Sequence, residues 1–138
     1  MTIQEQNKAT IRRTMAEADK SGPGILDEVC SPDYKMYFPS NADPIGLEEH
    51  KVLWQAWIDA FPDLNHTIHL IIAEGEYVAT HETIRGTHKG EFQGKPPTGR
   101  EVEFSAVSLW RFADGKLVEY RADADLLGFA EQLGTEVK

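Results

Sequence analysis

Apolar residues open the chain at helical spacing. Ile3, Ile11, Met15 and Ala18 line one side of a helix over residues 3–20, among good helix formers. Ser21-Gly22-Pro23-Gly24 stops it, and a short second helix covers Ile25 to Val29. Residues 33–39, DYKMYFP, read as a short strand. Pro44 and Gly46 mark a loop before a third helix over 46–60. There Leu53, Trp54, Trp57 and Phe61 make a broad apolar stripe, and Pro62 ends it. From residue 65 the period shortens to two. Strands are predicted over His66–Ala73, Tyr77–His88, Glu101–Phe112 and Leu117–Ala122. Glu74-Gly75-Glu76 is a tight turn, and Ala113-Asp114-Gly115 carries an Asp-Gly hairpin signal. The segment KGEFQGKPPTG, with three Gly and two Pro, cannot be regular structure. A last helix over 126–133 closes at Gly134.

Helices first, then hairpin-linked strands, is an α+β order rather than α/β. Four antiparallel strands with helices at one end bury one face against those helices. A strongly bent sheet of this kind forms a cone with an interior cavity, a natural small-molecule site. The length of 138 residues fits one domain over 1–138. The net charge of −9 and the scattered basic residues argue against nucleic acid and against anionic membranes. No apolar run reaches the length needed to span a bilayer, and MTIQEQNKATIRR lacks a signal-peptide core. With Cys30 alone, no internal disulfide can form, and a reducing cytoplasm is the expected location.

The final hairpin holds the densest candidate chemistry. In LVEYRADAD, a period of two puts Leu117, Glu119, Arg121, Asp123 and Asp125 on one face, and Val118, Tyr120, Ala122 and Ala124 on the other. So charged a face is either solvated or a pocket wall. On a pocket wall, a partly desolvated carboxylate gains basicity and can act as a general base. His81 and His88, seven apart, fall on opposite faces of an ideal strand; a bulge at Gly86 would bring them to one. His66 and His69 also alternate. No metal-ligand spacing is present, so no metal is expected. Trp54, Trp57, Phe61, Tyr34, Tyr37, Phe38, Trp110 and Phe112 are core residues that could also line an apolar cavity. There is no phosphate loop, nucleotide fingerprint, nucleophile elbow or His-paired cysteine.

The stretch GTHKGEFQGKPPTGREVEF, followed by LWRFADGKLVEYRADADLLGFAEQLG, resembles the SnoaL-like polyketide cyclases of the nuclear transport factor 2-like superfamily. AFPDLNHTI and IIAEGEYVATHETIRGTH fit the same pattern, so the resemblance covers nearly the whole chain. It implies a cone-shaped, cystatin-like α+β barrel. It also implies cofactor-free intramolecular aldol or isomerase-type chemistry on a polyketide-like ester, in which an Asp before the last helix is the base. That position matches Asp125, with Asp123 second. The family's usual Trp after the GKxxE segment is replaced by Arg121, which would lower the pKa of Asp125 or bind an anionic oxygen. The strand before the hairpin, SAVSLWRF, lacks the His that the cyclases pair with the Asp; His88 or His81 could substitute. Arg121, Glu119, Asp123, His81, Trp54, Trp57, Tyr34 and Trp110 are then the candidate substrate-binding residues, with Asp125 and His88 catalytic. The expected partners are a small apolar or polyketide-like ligand and a second copy of the chain. The family also includes proteins that are not cyclases, so a non-catalytic small-molecule binding domain is the alternative.

Overall fold

A computed structural model describes residues 1–38 and 43–134. Helix α1 spans Ile3–Ser21 and is capped by Thr2, whose hydroxyl accepts from the Glu5 N–H. A 3-10 turn over Pro23–Ile25 leads into the short α2, Leu26–Val29. Strand β1 is Cys30–Tyr37 and α3 is Leu47–Ala60. The strands β2 (Asn65–Glu74), β3 (Tyr77–Thr87), β4 (Glu101–Ala113) and β5 (Lys116–Ala124) precede the short α4, Leu126–Gln132. The helices and the four later strands match the sequence reading closely. Pro39, the end of the expected early strand, lies outside the described residues.

The sheet has five strands in the order β1-β5-β4-β3-β2. From β2 to β5 it is an antiparallel meander. β1 was expected only as a short early strand; it joins the far edge and runs parallel to β5. A parallel partner needs a long crossover, and here that crossover is α3 and the meander itself.

One face of the sheet is packed on the helices. Ile11, Met15 and Ala18 of α1, with Leu26 and Val29, cover Val78, Trp110, Phe112 and Leu117. A second cluster closes the other end, where Phe61 and Leu64 meet Phe92, Phe104, Phe129 and Leu133. Along β4 every even residue from Val102 to Phe112 is buried, as a half-buried strand requires. Gly86 shows how closely the layers approach. A Cβ there would lie 2.9 Å from the Phe61 Cβ, although the backbone itself is not strained.

The two faces of β5 differ from the uninterrupted alternation. A bulge beside Arg111/Phe112 pairs Arg111 with Glu119 but Phe112 with Leu117, so Val118 is an extra residue. The slip exchanges parity along the strand. Leu117 is buried on the same side as Tyr120, Ala122 and Ala124, while Glu119, Arg121 and Asp123 share the outer side.

Candidate active site

Between the two apolar clusters, the inner face of the sheet turns polar. The pleat of β3 points Val78, Thr80 and Glu82 inward, and β4 adds Ser108 opposite Thr80. Glu82 is only 1% exposed. Its Oε1 accepts from the Ser108 hydroxyl at 2.8 Å. The Ser108 Oγ also meets the Tyr120 hydroxyl at 3.2 Å. A serine has one proton to give, so with it committed to the carboxylate, Tyr120 is the donor to Ser108. The result is a chain, Tyr120 O–H to Ser108 O–H to Glu82. The other carboxylate oxygen, Oε2, is buried without a hydrogen-bond partner among the described residues.

Burial pushes the Glu82 carboxyl above the ordinary carboxylate range. Hydrogen bonds from Thr80 and Ser108, and the charge of His66 and His81, act against that rise. Burial, and then the charge of Glu82, push the Tyr120 phenol well above its ordinary range, so it remains a proton donor.

Aromatic rings wall this centre. Trp110 stacks on Tyr120 at 3.9 Å and donates its indole N–H to Thr80. From α3, His50 lies 5.6 Å from the Tyr120 ring and 5.5 Å from Trp54. The Tyr34 hydroxyl of β1 shares a 2.8 Å hydrogen bond with His50 Nδ1. Burial lowers the His50 pKa to about 4, so its ring is neutral. Trp54 continues to His66 at the start of β2, whose Nδ1 is 2.8 Å from Asp19 of α1.

The sequence-derived candidates divide. Tyr34, Trp54 and Trp110 lie on the inner wall beside this polar centre. Trp57 belongs to the second cluster, packed on Phe92 and Phe129. His88 is also buried there, stacked on Phe61. Its Nδ1 accepts from the Thr98 backbone N–H, and its Nε2 is buried without a partner among the described residues. His81 is exposed on the outer face beside His69. β3 pairs with β4 in unbroken register through Gly86, so no bulge there brings His81 and His88 together.

Asp125 departs from the expected pocket position. It is exposed and caps α4, its carboxylate accepting from the Gly128 N–H at 2.9 Å. Arg121 pairs with Glu119 at 2.6 Å and lies over the Tyr37 ring. Glu119 also accepts from Arg111. The Val118 bulge explains why Glu119, Arg121 and Asp123 stand together on the outside rather than on a pocket wall.

Two surface depressions lie away from the polar centre. One, of about 490 Å³, is lined by Arg13, Glu17, Gly22, Ile25 and Glu28 among others. The other, of about 290 Å³, is lined by Asp33, Lys35, Tyr37, Arg111 and Glu119 among others. Both are wide open and walled largely by solvated charges, so the interior carries the stronger chemistry.

Reading along the sequence missed Glu82, Ser108, Tyr120, His50 and Asp19. For two of them a signal was present. Glu82 shares strand parity with Val78, and Ser108 interrupts the apolar run of Val102, Phe104, Ala106, Trp110 and Phe112. A polar residue on an apolar stripe is worth pursuing.

The family model for SnoaL-like polyketide cyclases matches residues 9–133. The chain belongs to the SnoaL-like polyketide cyclase family. A SnoaL-like relative, the aklanonic acid methyl ester cyclase DauD of Streptomyces sp. (strain C5), is 30% identical over 129 residues, covering 88% of this chain and 78% of that protein. The structure of AclR from Streptomyces galilaeus, a hydroxylase candidate, superposes with a TM-score of 0.87 at 30% identity, covering 95% of this chain and 97% of AclR. IdmH from Streptomyces antibioticus, a polyketide cyclase candidate, gives 0.80 at 32% identity, covering 92% of this chain and 97% of IdmH. The fold is thus the nuclear transport factor 2-like α+β cone expected of a SnoaL-like chain.

Proposed function

We propose that this SnoaL-like protein is a cofactor-independent, cyclase-type enzyme acting on a polyketide-like ester inside the cone, with Glu82 as the base. The observation that carries this reading is the Oε2 of Glu82, a buried carboxylate oxygen with no hydrogen-bond partner among the described residues, on an inner wall that also carries the rings of Trp54, Tyr34 and Trp110. Taking a carboxylate out of water costs several kcal/mol, and burial raises its basicity toward that needed for a carbon acid near neutral pH. Glu82 takes a proton from the carbon between activating carbonyls. The electron pair left behind attacks a second carbonyl carbon, a C–C bond forms, and the carbonyl oxygen takes up a proton. No atom leaves. The walls of Trp54, Tyr34 and Trp110 hold the chain folded, which is an orientation effect.

Asp125, by comparison, faces solvent and spends an oxygen on the α4 cap. The test is turnover of aklanonic acid methyl ester, the compound for which DauD is named. Glu82→Gln should lower kcat by about 100-fold or more. Asp125→Asn should stay near wild type, because Asn caps a helix nearly as well as Asp. The reverse pattern would overturn the assignment of the base. Recovery of the ester bound but chemically unchanged by the wild type would favour a binding domain instead.

The outer face of the sheet supports a homodimer. Leu70, Ile72, Val107 and Leu109 are exposed there on neighbouring strands, an apolar patch of the kind that partners cover. A reducing, cytoplasmic location suits a chain whose one thiol, Cys30, is buried.

A further inference from the structure

We infer that His66, held by Asp19, is the acid that protonates the oxygen created by ring closure; this rests on the reading of Glu82 as the carbon base. The pair is built with some care. Asp19 sits near the end of α1, and one of its oxygens accepts the backbone N–H of His66 at 2.8 Å. The other lies 2.8 Å from His66 Nδ1. Both side chains are largely covered, at 11% and 17% exposed. An ionised carboxylate can only accept, so Nδ1 carries the hydrogen and the ring is fixed in one orientation. Among the described residues nothing bonds to Nε2, the nitrogen left to exchange a proton.

The strand register places that nitrogen's ring beside the base. His66 faces Ile84 and Ile68 faces Glu82. His66 and Glu82 are therefore diagonal neighbours on the inner face, about 7–8 Å apart along such a diagonal. The His66 ring meets Trp54 edge-on at 5.9 Å, on the wall assigned to the substrate. At such a diagonal, long and aromatic side chains reach a common neighbour, so one substrate can meet Glu82 at a carbon and His66 at a carbonyl oxygen.

The proton count closes. Glu82 gains the carbon-bound proton, and the C–C bond forms with the released electron pair. The new alkoxide takes the Nε2 proton from the imidazolium of His66, and Asp19 balances the charge of the ring while it is protonated. Transfer of the proton from Glu82 back to His66 through the site restores both groups. His66 is the catalytic residue in this step, and Asp19 is a positioning residue that acts through it.

The experiment separates the two proton transfers. The protein is incubated with aklanonic acid methyl ester in D2O, and carbon-bound deuterium and cyclised product are followed independently. The wild type should do both. His66→Gln should still exchange deuterium into the uncyclised ester, which also shows an intact interior, while closure falls about 100-fold. Asp19→Asn should likewise keep exchange, slow closure, and lose the Nδ1–H signal of His66 in ¹⁵N spectra. Unimpaired closure in His66→Gln overturns the inference. So does loss of exchange in a folded His66→Gln, since His66 would then act at carbon. Unimpaired closure in Asp19→Asn removes the positioning role. Retained exchange in Glu82→Gln overturns the carbon base itself, as does a wild type that neither exchanges nor closes the ester.

Discussion

Burial drives two titratable groups at the centre of the cone in opposite directions. Glu82 is pushed up and His50 is pushed down to about 4. The consequence for stability can be worked out for His50. In the unfolded chain it titrates near 6.5, while in the fold it stays neutral to about pH 4. Between these values the unfolded chain binds a proton that the fold refuses, so stability is present above about pH 6.5 and is lost as the pH falls toward 4, by about 3 kcal/mol in full. Glu82 has the opposite sign, its contribution being lost as the pH rises through its raised value, and it is common to wild type and variant. Urea denaturation at pH 7 and pH 4.5 should therefore show the wild type losing about 2–3 kcal/mol more than His50→Asn. Parallel losses would mean that His50 is not held neutral by its burial. At this scale the site was only half legible. The aromatic wall could be read because apolar rings on a stripe declare themselves. The central carboxylate could not, because a lone Glu on β3 is a weaker signal than the charged face of β5, which one extra residue at Val118 turns outward.

The elements were easier to read than their joints. Helical and strand periods located α1, α3 and the meander, since each buries one face and the pattern is written along it. The parallel partnership of β1 with β5 left no local trace, because pairing between distant segments is decided by tertiary packing. Nor did the bulge, where a single residue changes parity. Gly86 is the clearest sequence feature that the elements explain. Its missing side chain makes room for Phe61 at the end of α3. Gly86→Ala should cost about 1–3 kcal/mol through overpacking. Gly24→Ala, with nothing within 4 Å of the added carbon and no unusual φ, should be neutral or slightly stabilising. Equal midpoints in denaturant for Gly86→Ala and wild type would show that α3 can move away at no cost.

As a whole, the molecule has one covered and one bare sheet face. The bare face carries Leu70 and Ile72, both 56% exposed, and Val107, 55% exposed, bordered by Arg121 and Asp123. Light scattering at micromolar concentration should give twice the mass of one chain. Val107→Asp should return it to a single chain while leaving the inner-face core untouched. A wild-type mass of one chain would remove the dimer.

The parallel edge between β1 and β5 has a different kind of consequence. Lys116 at the start of β5 donates to the Glu28 carbonyl just before β1, a contact spanning 88 positions, whereas β2 to β3 and β4 to β5 are joined by tight turns. Closing so long a stretch of chain makes this seam entropically costly to form. The N-terminal third of the chain therefore cannot complete its sheet until almost the last strand has been made. During synthesis, Tyr34 and the aromatic wall it helps to form must wait for the far end of the protein to arrive.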